Sequence, residues 1–146
     1  QEAVGWGMTG AQLENELQSL LFRHGHITVL CDEQKKKGGK TLRALDMQLD
    51  GVMMDIRSIT KKKRHYGSAI LQKNAQLRGY NERSDVTVSA DTLCLYFHDA
   101  SMYHPGKIRD GIKYTRKKSK HGLAVKNIVC VLRIDDDTIE IRRHKA

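Results

Sequence analysis

Along residues 10–23, Leu13, Leu17, Leu20 and Leu21 recur at helical spacing with polar residues between them, which predicts an amphipathic helix. Thr9-Gly10-Ala11-Gln12 has the form of a capping box at its start, and Gly25 supplies a stop at its end. His26–Cys31 is a short β-branched and apolar run, hence a strand, and residues 32–41 read as a polar, glycine-bearing loop. From Leu42 to Thr60 apolar and polar residues alternate on both sides of Asp50-Gly51, the dipeptide that favours a two-residue hairpin turn. Ser68–Tyr80 predicts a helix ended near Gly79, residues 81–91 are polar and irregular, and Thr92–Phe97 is another strand. Pro105 opens a helix running to Lys120, with Ile108 and Ile112 inward. Two last strands, Asn127–Ile134 and Thr138–Arg143, are joined through Asp135-Asp136-Asp137.

This order predicts an α/β fold in a single domain over residues 9–146, behind a linker at 1–8: a mixed central sheet with an αβββαβ core, plus a basic helix and two C-terminal strands. Centring the hairpin on Asp50 and Gly51 pairs Leu49 with Val52, Gln48 with Met53, Met47 with Met54 and Asp46 with Asp55. One face then collects Leu45, Met47, Leu49, Val52, Met54 and Ile56, and the other Ala44, Asp46, Gln48, Met53, Asp55 and Arg57. Two carboxylates directly opposite each other repel, with Cβ atoms about 4.5–5.5 Å apart. A divalent cation bound between them, a protonated carboxyl, or compensation by Arg57 would relieve the repulsion.

Charge sharpens this reading. The chain has 26 Lys and Arg against 17 Asp and Glu over 146 residues, a net charge of +9. A surplus of this size suits a polyanionic partner such as nucleic acid, because neutralised phosphates release counterions. Its basic runs are Lys61-Lys62-Lys63-Arg64 and Arg116-Lys117-Lys118 with Lys120. No apolar run approaches the roughly 20 residues of a membrane span. The three cysteines, Cys31, Cys94 and Cys130, read as reduced core residues, and the chain's start at Gln1 suggests a piece of something longer. His98 and His104 fall near a strand end, where an acid or base could work, though they read first as solvated loop histidines.

Asp46 followed by Asp55-Ile56-Arg57 on the next strand resembles the signature of the PD-(D/E)XK nuclease superfamily, an acid on one strand and acid-x-Lys on the next. The predicted element order over residues 10–97 is that superfamily's core. Gly10-Ala11-Gln12-Leu13-Glu14 is similar to the first helix of Mrr-type restriction enzymes and Holliday-junction resolvases. Gln76-Leu77-Arg78-Gly79-Tyr80 resembles the Gln-x-x-x-Tyr element of helicase-associated exonucleases. The resemblance implies a nuclease in which Asp46 and Asp55, assisted by Glu14, hold Mg²⁺ or Mn²⁺, Arg57 stabilises the transition state and Gln76 orients groups nearby. Lys61, Lys62, Lys63, Arg64, Lys73, Arg116, Lys117, Lys118 and Lys120 are expected to hold the nucleic-acid backbone. Two departures stand out: Leu45 precedes Asp46 in place of proline, and Arg57 occupies the lysine position, so that Lys61 or Lys73 would stand in if a lysine is needed.

The segment Leu49–Thr60 with the basic helix behind it also resembles C-terminal toxin domains of contact-dependent inhibition systems, which implies action in the cytoplasm and an immunity protein as partner. Some of those toxins are instead metal-free ribonucleases of the barnase–EndoU–colicin–RelE group. A metal-independent ribonuclease and a non-catalytic nucleic-acid-binding module therefore remain the alternative expectations, and DNA and RNA both stay open as substrate.

Overall fold

Asp50 and Gly51 both take positive φ, 49° and 84°, which makes the turn type I′ and matches the twist of the strands it joins. The strands are β4 (Met47–Leu49) and β5 (Val52–Ile59), and their ladder pairs Leu49 with Val52, Gln48 with Met53 and Met47 with Met54, as the alternation predicts. The computed structural model describes residues 6–31, 34–37, 40–43 and 45–146, with residues 30, 34–37 and 40–43 described as backbone alone.

In chain order the elements are α1 (Gly10–Arg23), β1 (Thr28–Leu30), β2 (Gln34–Lys37), β3 (Lys40–Arg43), β4, β5, α2 (Gly67–Asn81), β6 (Thr92–Phe97), α3 (Pro105–Lys118), β7 (Asn127–Asp135) and β8 (Thr138–Lys145). Six strands form one mixed sheet in the order β1-β4-β5-β6-β7-β8. β5, β6 and β7 run parallel through helical crossovers, while β1, β4 and β8 pair antiparallel. Both crossovers step the same way across the sheet, so α2 and α3 share one face. The sheet is the mixed α/β one that the pattern predicts.

Two parts differ from expectation. Residues 32–41 are not simply a loop, because β2 and β3 pair there as a separate two-stranded antiparallel sheet. A hairpin satisfies its backbone internally, so its polar residues could form one without an apolar face to announce it. The α2 helix also runs through Gly79 to Asn81, and Asn81 anchors the next segment by exchanging hydrogen bonds with Ala90.

The sheet separates two apolar layers. On one face α1 places Leu13, Leu17, Leu20 and Leu21 against Met47, Leu49, Met54, Ile56, Cys94, Tyr96, Val129 and Val131. Each such leucine contributes about 1.5–3 kcal/mol by leaving water. The reciprocal capping box of Thr9 and Gln12 closes the N-terminus of α1. On the other face Ile70 and Leu77 of α2 and Ile108 and Ile112 of α3 cover Ile59, Leu93, Leu95, Phe97, Ile128 and Cys130. Here α2 and α3 approach closely at glycine: a Cβ on Gly111 would lie 3.1 Å from the Gly67 nitrogen. Among the described residues no helix is long and apolar enough to cross a membrane.

Cys94 and Cys130 are free and buried, whereas Cys31 is only half-buried. Burial pushes the Cys94 thiol up to about 12, which keeps it protonated and unreactive.

Candidate functional site

Hydrogen-bonded pairs in an antiparallel hairpin alternate, so after Leu49/Val52 and Met47/Met54 the next would be Leu45/Ile56. The ladder stops short of it. Asp46 sits in a bend, and its own carboxylate accepts the Ile56 N–H at 2.8 Å, in the place a Leu45 carbonyl would take. The Asp46 carbonyl meanwhile accepts from the Cys31 amide at 2.8 Å. Asp46 is thus fixed between β1 and β5 and does not sit in simple cross-strand register with Asp55. The bend also carries Leu45 out of the α1 layer, where alternation predicts it, into the layer under α2 and α3. Val52 at the hairpin tip is likewise exposed, not buried with that face. Ala44 lies outside the described residues.

Asp55 lies on the inner strand β5, beside Leu93 of β6 and on the face covered by α2. It is fully buried. From α2, Lys73 reaches down between Ile70 and Leu77, on the inward stripe of that helix. Its Nζ stands 3.1 Å from Asp55 Oδ2 and 3.8 Å from Asp46 Oδ2, and it donates to Gln76 Oε1 at 2.9 Å. Burial, a hydrogen bond shared with Asp46 and the Asp46 charge raise the Asp55 carboxyl to about 7, against the opposing pull of Lys73. Two carboxylates, a buried ammonium and a glutamine therefore meet at one place. Lys73, expected either on the backbone-holding surface or, like Lys61, as a stand-in for the motif lysine, is this ammonium.

The other expected residues are distributed differently. Arg57 lies two residues beyond Asp55 on the same face, is exposed, and donates from Nη1 to Gln72 Oε1 at 2.7 Å. Glu14 is on α1, across the sheet from the face that carries Lys73. Among the described residues no group of three or more His, Cys, Asp or Glu side chains is placed to hold a metal, so Glu14 does not join Asp46 and Asp55 in one. Tyr80 packs against the α2–α3 layer, with the Arg83 guanidinium 5.4 Å from its ring centre. Lys61, Lys62, Lys63 and Arg64 are exposed in the β5–α2 connection, and Arg116, Lys117, Lys118 and Lys120 are exposed around the C-terminal end of α3.

No protein family, curated protein or solved structure matches this chain. The function of the site is therefore inferred from its own geometry.

A second polar cluster occupies the opposite face. Glu16 of α1 accepts from Tyr96 and pairs with His98 Nδ1, both at 2.5 Å, while Arg133 lies 3.8 Å from the same carboxylate. An Arg133 nitrogen is 3.2 Å from His98 Nε2, and the Trp6 ring centre is 4.6 Å from that of His98. Burial and the Glu16 carboxylate push the Tyr96 phenol well up, so it stays a donor. His98 is therefore not a solvated loop histidine. Both ring nitrogens already have partners, and the cluster ties α1 to the ends of β6 and β7. Glu16 falls between Leu13 and Leu17 in sequence, which signals a half-buried position, but its partners lie far along the chain.

Proposed function

We propose that this protein is a metal-dependent nuclease that hydrolyses phosphodiester bonds through Asp46, Asp55 and Lys73, a site of PD-(D/E)XK type with its lysine supplied from α2. The observation that carries this reading is the buried Lys73 ammonium, 3.1 Å from Asp55 and 3.8 Å from Asp46, in a chain of net charge +9. A lysine position on β5 is filled by Arg57, whose guanidinium turns to Gln72. In this reading Lys73 would supply the ammonium from α2 where β5 carries no lysine.

The donor set fits a small hard cation. Mg²⁺ and Mn²⁺ favour sites of one or two carboxylates completed by water and substrate phosphate. Asp46 and Asp55 would hold the ion, whose charge would offset the burial and the Asp46 charge that together raise the Asp55 carboxyl to about 7. When bound, it would polarise the phosphoryl group and lower the pKa of an attacking water.

The residues of the chain supply the rest. An ammonium has three N–H donors. Asp55 and Gln76 take two from Lys73, and the third is available to hold a phosphate oxygen or orient the water. Gln76 limits the rotation of Lys73, and the surrounding apolar side chains of α2 exclude bulk water, which strengthens each of these interactions. The exposed cations of Lys61–Arg64 would neutralise neighbouring phosphates.

The test is titration of Mn²⁺ into wild type and Asp55→Asn, run beside cleavage of plasmid and total tRNA. Metal binding and metal-dependent cleavage by wild type, both lost in the variant, are the expected result. Cleavage retained by Asp55→Asn would sink the assignment. RNA cut in EDTA to a cyclic phosphate would replace it with a metal-independent ribonuclease, and salt-sensitive binding without cleavage would replace it with a binding module.

A further inference from the structure

Beside the carboxylate site is a cavity of about 310 Å³ at the C-terminal end of β5. Exposed Arg57, Lys61 and Lys63 and buried Ile59 and Tyr66 line it, and none of its described lining residues is a carboxylate. Arg57 is two residues along the strand from Asp55, about 7 Å at the rise of a β-strand. The cavity therefore begins one short step from the carboxylates.

Its chemistry has two parts. Three cations in the lining favour a phosphate, and Arg57, with five N–H donors of which Gln72 takes one, can meet phosphate oxygens in pairs. Ile59, Tyr66 and Ala69 add an apolar part to the lining, which contributes nothing to binding a bare anion but suits contact with a sugar or base edge. The volume is at the lower end for ligand pockets, which run about 300–1,000 Å³, so it admits one nucleotide and excludes a duplex. A base stacked inside a helix would have to leave the stack to enter, whereas a base on an unpaired strand is already free.

We propose that this cavity is the subsite for one nucleotide of an unpaired strand, its phosphate on Arg57, Lys61 and Lys63 and its sugar or base over Ile59 and Tyr66. The proposal deepens the nuclease reading and rests on it for the identity of the neighbouring site. It makes Arg57 a substrate-holding residue next to the scissile phosphate, and it makes single-stranded nucleic acid, or an unpaired end or loop, the preferred substrate.

Binding is measured without cleavage, using Asp55→Asn protein and a labelled ten-nucleotide strand against the same sequence as a duplex, by fluorescence anisotropy over a range of salt. The single strand is expected to bind at least tenfold tighter than the duplex. Adding Lys61→Ala and Lys63→Ala, both at exposed positions, should weaken single-strand binding about tenfold. The slope of log affinity against log salt should fall by up to about 0.7, the contribution of the one phosphate of a single strand that these lysines share with Arg57. Adenosine 5′-monophosphate should displace the strand where inorganic phosphate at equal concentration does not.

Equal or tighter duplex binding, an unchanged salt slope, or equal displacement by inorganic phosphate would each overturn the subsite. Failure of the two readings is separable. Wild type that binds in this way without cutting removes only the cleavage assignment. Cutting with an unchanged KM in Lys61→Ala/Lys63→Ala removes only the subsite.

Discussion

Asp55→Asn should make the metal-free protein more stable than wild type at pH 8, although it removes a charge from an ion pair. In the folded chain the Asp55 carboxyl is raised from 3.8 to about 7, chiefly by burial and then by Asp46. The folded state therefore holds this proton more tightly than the unfolded chain does. Its stabilisation is complete below about pH 4 and is lost as pH rises to 7 and beyond. At 1.36 kcal/mol per pH unit, a rise of roughly three units makes about 4 kcal/mol. Asparagine occupies nearly the same volume and carries no charge at any pH, and Asp46 remains to compensate Lys73 at 3.8 Å. The stability difference between variant and wild type should thus grow by about 3 kcal/mol from pH 4.5 to pH 8, or roughly 10 °C in Tm at this chain length. Urea unfolding of both proteins with EDTA present measures it, with equal m-values as the check that one transition is being compared. A difference that does not change with pH would refute the account of Asp55 as a buried carboxyl strained by its neighbour.

Other consequences follow from the same groups. Lys73→Met should abolish cleavage and raise the Asp55 carboxyl above its present value. It should cost about 3 kcal/mol in urea unfolding at pH 8 and clearly less at pH 5, where Asp55 is protonated in both proteins. Gly111→Ala drives a Cβ to 3.1 Å from the Gly67 nitrogen and 2.9 Å from Ile70 Cδ1. The isoleucine can turn aside but the backbone cannot, so a loss of about 1–3 kcal/mol in urea unfolding is expected.

Much of the molecule is written locally. Thr9 and Gln12 cap α1, Asp50-Gly51 makes a type I′ turn, and that turn fixes the pairing of Met47 with Met54 and so brings Asp46, just before β4, near Asp55 on β5. Each depends on residues a few positions apart, and periodicity reports such relations because a residue's side is set by its own element. What crosses between elements is decided only on folding. The ammonium beside the carboxylates comes from Lys73 on α2, not from Arg57 or Lys61, because the β5–α2–β6 crossover lays that helix over Asp55. The bend at Asp46, the passage of Leu45 to the other layer and the joining of Glu16 to His98 are likewise tertiary. The alternation of Leu45 and Asp46 could not announce the bend, since it arises where a carboxylate substitutes for a backbone acceptor. A sequence pattern assigns each side chain a direction, but only packing determines which distant group it meets.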